Sequence, residues 1–294
     1  MRYTDISVPD LEIDPEIIHK VLVEFIRVQI SKTGLEKAVF GLSGGLDSVV
    51  VAFILKEALG SGNVLAAVLP YNTVGSESIK DAKNIRDILN LQCIIMDIAP
   101  IVNSCRDTLL SSAVGNPDRI RMGNIMARQR MVLLYDLSKA IGGLVIGTSN
   151  KTELLLGYGT LHGDLAFAFD PLGDLYKTQI RAYARYLGVP ENIIVKSPSA
   201  DFWPGQTDEQ DLGFAYEDLD KLLYLMTDKG LNIQELLDLG FDRDFIDSIN
   251  KRIYSNAFKA RMPLIAGLQK QEIKGDYRYW RSTILPNNRL QIDP

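Results

Sequence analysis

The chain has 294 residues, 46% of them hydrophobic and 23% charged, with a formal charge of −5. That length and balance describe a folded protein able to bury a full core, and the acidity argues against a nonspecific nucleic-acid binder. The two cysteines, Cys93 and Cys105, make neither a disulfide framework nor a metal cluster. No apolar run approaches membrane-spanning length and the first residues lack a signal-peptide pattern, so a cytoplasmic location away from membranes is expected.

Asp14-Pro15-Glu16 reads as a helix start, with a side-chain cap, a proline in the first turn and an acid near the positive end. Ile17, Ile18, Val21, Leu22, Phe25 and Ile26 continue it at helical spacing to about Ile30. Ala38 to Phe40 is a short apolar strand that enters a glycine turn, and an apolar helix follows to about Leu59. Val64 to Leu69, Gln92 to Met96 and Gly143 to Gly147 are further strands. Between them lie helices at Ser76 to Leu89, near Pro100 to Leu110, and at Arg119 to Ala140. This alternation predicts a doubly wound, Rossmann-like α/β fold with a parallel sheet, and a ligand site over the carboxyl ends of the strands. Downstream, Gly157 to Asp170 and Ser197 to Gln210 read as irregular, with a helix from Lys177 to Leu187 between them. Phe214 to Arg261 reads as three polar helices, a C-terminal extension of one domain spanning residues 1–294.

The turn Gly41-Leu42-Ser43-Gly44-Gly45-Leu46-Asp47-Ser48 carries the most chemistry. A glycine turn between a strand and a helix aims backbone N–H groups at one point, and the helix start adds partial positive charge. An anion such as a phosphate fits there. Asp47 would repel a bare phosphate, but it makes sense if it holds Mg²⁺ against phosphate oxygens. A plain capped helix is the simpler alternative, yet two glycines with Ser43, Asp47 and Ser48 exceed what a cap requires. The pattern is not a Walker loop, because no lysine follows the glycines.

The same turn resembles the pyrophosphate loop of the ATP pyrophosphatases that form adenylated intermediates. Four further segments narrow the resemblance: Ala127-Arg-Gln-Arg130, Gly147-Thr-Ser-Asn-Lys-Thr-Glu153, Gly157-Tyr-Gly-Thr-Leu-His-Gly-Asp164 and Lys196-Ser-Pro-Ser-Ala-Asp201. With Lys177, they look like the NAD synthetases, in order from about Asp14 to Pro263. The resemblance implies an adenine nucleotide alpha hydrolase-like fold and a C–N ligase. Deamido-NAD would be activated by ATP as an acyl-adenylate, with release of pyrophosphate, and ammonia would then give NAD and AMP.

On the same resemblance, Gly41 to Ser48 hold the leaving pyrophosphate, and Asp47 and Glu153 hold Mg²⁺. Thr148 contacts ATP, Lys177 and Ser199 lie near the transferred α-phosphate, Arg128 and Lys259 contact deamido-NAD, and Asp164 helps deliver ammonia. Lys177 starts a helix, where a cation is unfavourable unless an anion lies opposite. Where one branch of the family has a lysine and an aspartate, this chain has Leu161 and Ala168, so contacts in that loop do not carry over. The loop is closer to the glutamine-dependent branch, although the glutaminase cysteine is not apparent, which implies free or partner-delivered ammonia. Family members are homodimers with deamido-NAD bound across the interface, and the helices near Ile17 and after Arg119 are candidates for it. The tail from Gly275 onward lies outside the resemblance. The rivals are another adenylating enzyme with this loop, such as a tRNA modifier, and a nucleotide sensor that does not turn ATP over.

Overall fold

The computed structural model describes residues 3, 6–8, 11–72, 76–112, 115–199, 205 and 207–260. Its centre is a parallel sheet of four strands: β1 (Lys37–Gly41), β2 (Val64–Val68), β3 (Gln92–Ile95) and β4 (Gly143–Val145). The strand order is β3-β2-β1-β4, with Val39 of β1 opposite Leu65 on one side and Val145 on the other. The chain winds outward from β1 to β3 and then returns to the far side of β1. That reversal opens a crevice at the carboxyl ends of β1 and β4, the expected place for a ligand.

The helices follow in chain order: α1 (Pro15–Ser31), α2 (Leu46–Leu59), α3 (Ser76–Leu89), α4 (Ala99–Leu110), α5 (Arg119–Ile141) and α6 (Lys151–Leu156). Then come α7 (Lys177–Tyr186), α8 (Glu191–Ile194), α9 (Asp208–Leu212), α10 (Tyr216–Thr227), α11 (Ile233–Asp238) and α12 (Arg243–Asn256). Short 3-10 turns cover Ser61–Asn63 and Ala257–Ala260. Asp14 caps α1 as its sequence suggests, accepting from the N–H groups of Glu16 and Ile17. α6, α8 and α9 have four to six residues, too short for periodicity to announce them.

Side-chain alternation along β1 sorts the core onto two faces. Phe40 packs with Ile54, Ile85, Ile180 and Tyr183 from α2, α3 and α7, whereas Val39 packs with Val102, Met126 and Leu134 from α4 and α5. β4 ends earlier than the apolar run to Gly147 suggested. Ile146 instead bridges to Phe169, and Gly147 donates its N–H to the Phe169 carbonyl, so the chain end of β4 is paired with a returning segment.

The C-terminal helices depart most from expectation. They are not simply polar: α10 buries Leu219, Leu222 and Leu223 at helical spacing. These join Leu156, Tyr176, Tyr216, Phe245 and Ile249 in a third apolar cluster. Each such side chain contributes roughly 1.5–3 kcal/mol on burial, which is enough to dock the layer against α6 and the start of α7. No helix among the described residues is long and apolar enough to cross a membrane. The tail from Gly275, and Ala200 to Pro204 with Gln206 in the second irregular stretch, lie outside the described residues.

Candidate active site

The glycine turn leaves β1 and is fixed by its own hydroxyls. Ser48 donates its Oγ–H to the Gly45 carbonyl at 2.9 Å and accepts from the Ser43 N–H at 3.2 Å. Ser43 Oγ lies 3.0 Å from Ser48 Oγ and accepts from the Gly45 N–H. The two serines therefore shape the turn as well as facing the crevice. Gly44 has φ +84°, and a Cβ there would lie 2.0 Å from the Ser78 carbonyl oxygen, so only glycine fits against α3. Gly45 is the N-cap of α2 and offers no side-chain acceptor. Among the described residues no side chain caps the start of α2, so its first N–H groups are suited to meet an outside anion.

Opposite the turn, α6 and α7 bring an acid and a cation to Asp47. Asn150 caps α6 through the Glu153 N–H at 2.9 Å, while Glu153 returns a contact to the Asn150 N–H at 3.3 Å. Glu153 is therefore both a capping residue and a site acid. Lys177, only 3% exposed, pairs through Nζ with Asp47 Oδ2 and lies 3.8 Å from Glu153 Oε1. Burial pulls the Lys177 ammonium down, but Asp47 and Glu153 outweigh it and leave its pKa above the ordinary lysine value. Burial likewise pushes Glu153 well above the usual carboxylate range, with Lys177 opposing and Asp47 adding to the rise. The Oδ1 atom of Asp47 is buried and has no hydrogen-bond partner among the described residues. An acceptor left in that condition is costly unless something else takes it up.

These groups line one cavity of about 310 Å³ together with Thr148, Asp164 and Ser199. Gly41, Leu42, Ser43, Gly45, Leu46 and Ser48 line it too, whereas Gly44 does not, being turned against Ser78. Two expected residues lie outside this wall. Arg128 is exposed and donates Nε–H to the Leu161 carbonyl at 3.2 Å. Lys259 is not a solvated lysine: its Nζ donates to the carbonyls of Gly157 and Gly159 at 2.8 and 3.0 Å, and burial lowers its pKa. Both hold the loop that carries Asp164.

A sequence model of the family described as NAD synthase matches residues 18–263. The chain belongs to the NAD synthase family. A relative named NH(3)-dependent NAD(+) synthetase from Chlorobium phaeobacteroides is 46% identical over 271 residues, 92% of this chain and 96% of its own length. Among solved structures, the NH3-dependent NAD synthetase from Campylobacter jejuni, in complex with the nitrate ion, superposes with a TM-score of 0.74 at 36% identity. It covers 87% of this chain and 100% of that one. The NMN synthetase from Francisella tularensis gives a TM-score of 0.77 at 29% identity, with the same coverage.

Several cavity residues of this NAD synthase family member escaped sequence reasoning. Arg130 lines the cavity and donates Nε–H to the Leu69 carbonyl at 3.0 Å. Its signal was present, since it ends the same Ala127–Arg130 segment as Arg128. Asp208 at the start of α9 is buried, accepts from the hydroxyls of Tyr158 and Tyr216, and faces Lys177, which opposes the burial that raises its pKa. Only its place in the second irregular stretch hinted at a role. Asp164 sits at the cavity mouth and accepts from the Thr160 N–H at 2.9 Å. The residue is exposed on one side, and the protein packed behind it raises its carboxyl above the ordinary aspartate value. His162 of the same loop is exposed, has φ +61° and does not line the cavity.

Proposed function

We propose that this protein converts deamido-NAD to NAD with ATP and ammonia, releasing AMP and pyrophosphate. The observation that carries the reading is Lys177, buried and held by Asp47 and Glu153 beside the uncapped start of α2 in a single cavity. A carboxylate is a poor acyl donor. Attack of its oxygen on the α-phosphate of ATP breaks the bond to the β-phosphate and turns that oxygen into a leaving group. Ammonia then bonds to the carbonyl carbon, AMP departs, and one proton is lost.

The turn from Gly41 to Ser48 would receive the pyrophosphate on its free N–H groups, with Thr148 beside the nucleotide. Lys177 and Ser199 would stabilise charge developing on the α-phosphate. Arg128 and Lys259 are assigned to deamido-NAD, which their grip on the 157–164 loop supports from its outer side. Asp164, with its raised pKa, is suited to take a proton from ammonium at the cavity mouth. Asp47 and Glu153 would hold Mg²⁺. The fit rests on the unpartnered Oδ1 of Asp47 and on two carboxylates facing a phosphate site, the donor set this hard cation takes along with substrate oxygens. When bound, the ion would neutralise phosphate charge that Lys177 alone cannot.

A homodimer in the cytoplasm completes the reading. Exposed apolar side chains on α1 and α5, among them Ile17, Val21, Ile120 and Val132, support a subunit contact there. The decisive experiment measures pyrophosphate release from ATP and Mg²⁺ with and without deamido-NAD, then NAD formation with ammonium or glutamine. Release only with deamido-NAD, and NAD from ammonium alone, is expected. The acid form of NMN belongs in the same assay, given the Francisella structure, and a preference for it would replace the dinucleotide as substrate. Release indifferent to either acid would sink the amidation reading.

A further inference from the structure

Asp220 lies on α10, in the helical layer rather than at the sheet, and its exposure is 0%. It does not line the cavity, yet its carboxylate joins the two elements that supply the cavity's acid and cation. Oδ1 accepts the Thr152 hydroxyl at 2.6 Å, and Oδ2 accepts the Thr178 N–H at 2.7 Å. Thr152 immediately precedes Glu153 on α6, and its Oγ1 in turn accepts the Lys177 N–H at 3.1 Å. The first two N–H groups of α7 are therefore capped from outside the helix, one by Asp220 directly and one through Thr152. This is a cap supplied by two other segments, α6 and α10, at the residue that carries the buried ammonium.

Burial without a cation is an expensive place for a carboxylate. Among the described residues no lysine or arginine pairs with Asp220, and burial raises its pKa to about 6 against the opposing hydrogen bonds from Thr152 and Thr178. A merely structural cap could be a serine or an asparagine. Here the two donors reach two different oxygens, one from each element, and in an asparagine one of those positions would be an NH2 donor facing a donor.

We propose that Asp220 is a positioning residue for adenylation, fixing Lys177 relative to Glu153 and Asp47 through Thr152 and the start of α7. The inference rests on the assignment of Lys177 to the α-phosphate step. It makes the C-terminal helical layer part of the catalytic apparatus, although no residue of α10 needs to touch substrate for that role.

The test is single-turnover pyrophosphate release with ATP, Mg²⁺ and deamido-NAD in wild type, Asp220→Asn, Thr152→Val, Thr152→Ser, Lys177→Ala and the Asp220→Asn/Lys177→Ala double variant. Asp220→Asn and Thr152→Val should each slow the step about tenfold or more while KM for ATP moves by no more than about twofold, as for loss of positioning rather than binding. Thr152→Ser keeps the hydroxyl and should restore most of the rate. In the Lys177→Ala background, Asp220→Asn should add no further loss, because the interaction it removes acts through Lys177. A folded Asp220→Asn with the wild-type rate, or a loss that adds fully to that of Lys177→Ala, would overturn the inference. If Asp220→Asn does not fold, Thr152→Val and its serine counterpart carry the same decision. Failure of the underlying reading is separable: it would show as no response of wild type to deamido-NAD, or as an unaffected Lys177→Ala.

Discussion

The hydroxyl hydrogen bonds that shape the glycine turn join residues at most five apart, whereas Lys177 meets Asp47 across 130 residues and Thr152 meets Asp220 across 68. The two halves of the site are thus encoded differently. In the turn, residue type dictates geometry directly: Gly44 takes a left-handed φ, and the serines bond to neighbouring backbone. In the acid and cation cluster, a local capping contact fixes Glu153 against Asn150, but the meeting of Glu153, Lys177 and Asp47 follows from how α6, α7 and α10 pack around Tyr176 and Tyr216. A local site tolerates drift elsewhere in the fold. An assembled one depends on every element that holds it.

Asp47 belongs to both halves, so its loss should cost most. Asp47→Asn keeps the shape but removes the charge facing Lys177, and Mg²⁺-dependent pyrophosphate release should disappear while the circular dichroism spectrum stays native. Near-normal turnover would overturn the proposed assignment of Asp47 to Mg²⁺. Lys177→Ala strikes only the assembled half and should slow adenylation on the order of 10²-fold, as for one charge-stabilising donor. An unchanged single-turnover rate would show that the cluster is structural.

Gly44→Ala tests the local half. Its left-handed φ and the Ser78 carbonyl 2.0 Å from the new Cβ should cost about 2 kcal/mol or more in urea unfolding, with weaker ATP binding. Unaltered stability and ATP affinity would mean that the turn yields easily.

The smallest effect concerns the segment that returns to β4. Asp170 accepts from the N–H groups of Ser149 and Leu172, and burial pushes its pKa from 3.8 up to about 7. The folded state therefore binds this proton more tightly than the unfolded chain does. Its stabilisation is complete below pH 3.8 and is lost as pH rises to about 7. Between about pH 5.5 and 8, wild type should lose on the order of 1–2 kcal/mol relative to Asp170→Asn. Parallel pH profiles of the two proteins in urea would show that Asp170 does not titrate there.

Much of this was legible in the chain. The apolar runs at Val64 and Gly143 and the capped start of α1 gave the sheet and its helices, because burial on both faces and side-chain capping leave direct traces in residue order. The C-terminal layer was read as polar because its buried leucines are diluted by solvent-facing charge. Asp208 and Asp220 were invisible as site residues, since an acid on a short or amphipathic helix looks the same whether it meets water or a threonine. Nothing in the residue order around Lys259 points to the Gly157 and Gly159 carbonyls that its ammonium holds about a hundred residues away.

What the sequence alone determined was the turn from Gly41 to Ser48, its place after a buried strand, and the glycine and hydroxyl residues that shape it. Those depend on φ, on hydrogen-bond reach over a few residues and on strand-to-helix order, all of which are local. The tertiary structure decided that Lys177 neutralises Asp47, that Glu153 both caps α6 and faces the ammonium, and that Asp220 caps α7 from another layer. Such partners are chosen by burial, where a charge or donor must take whichever group the packing brings within reach.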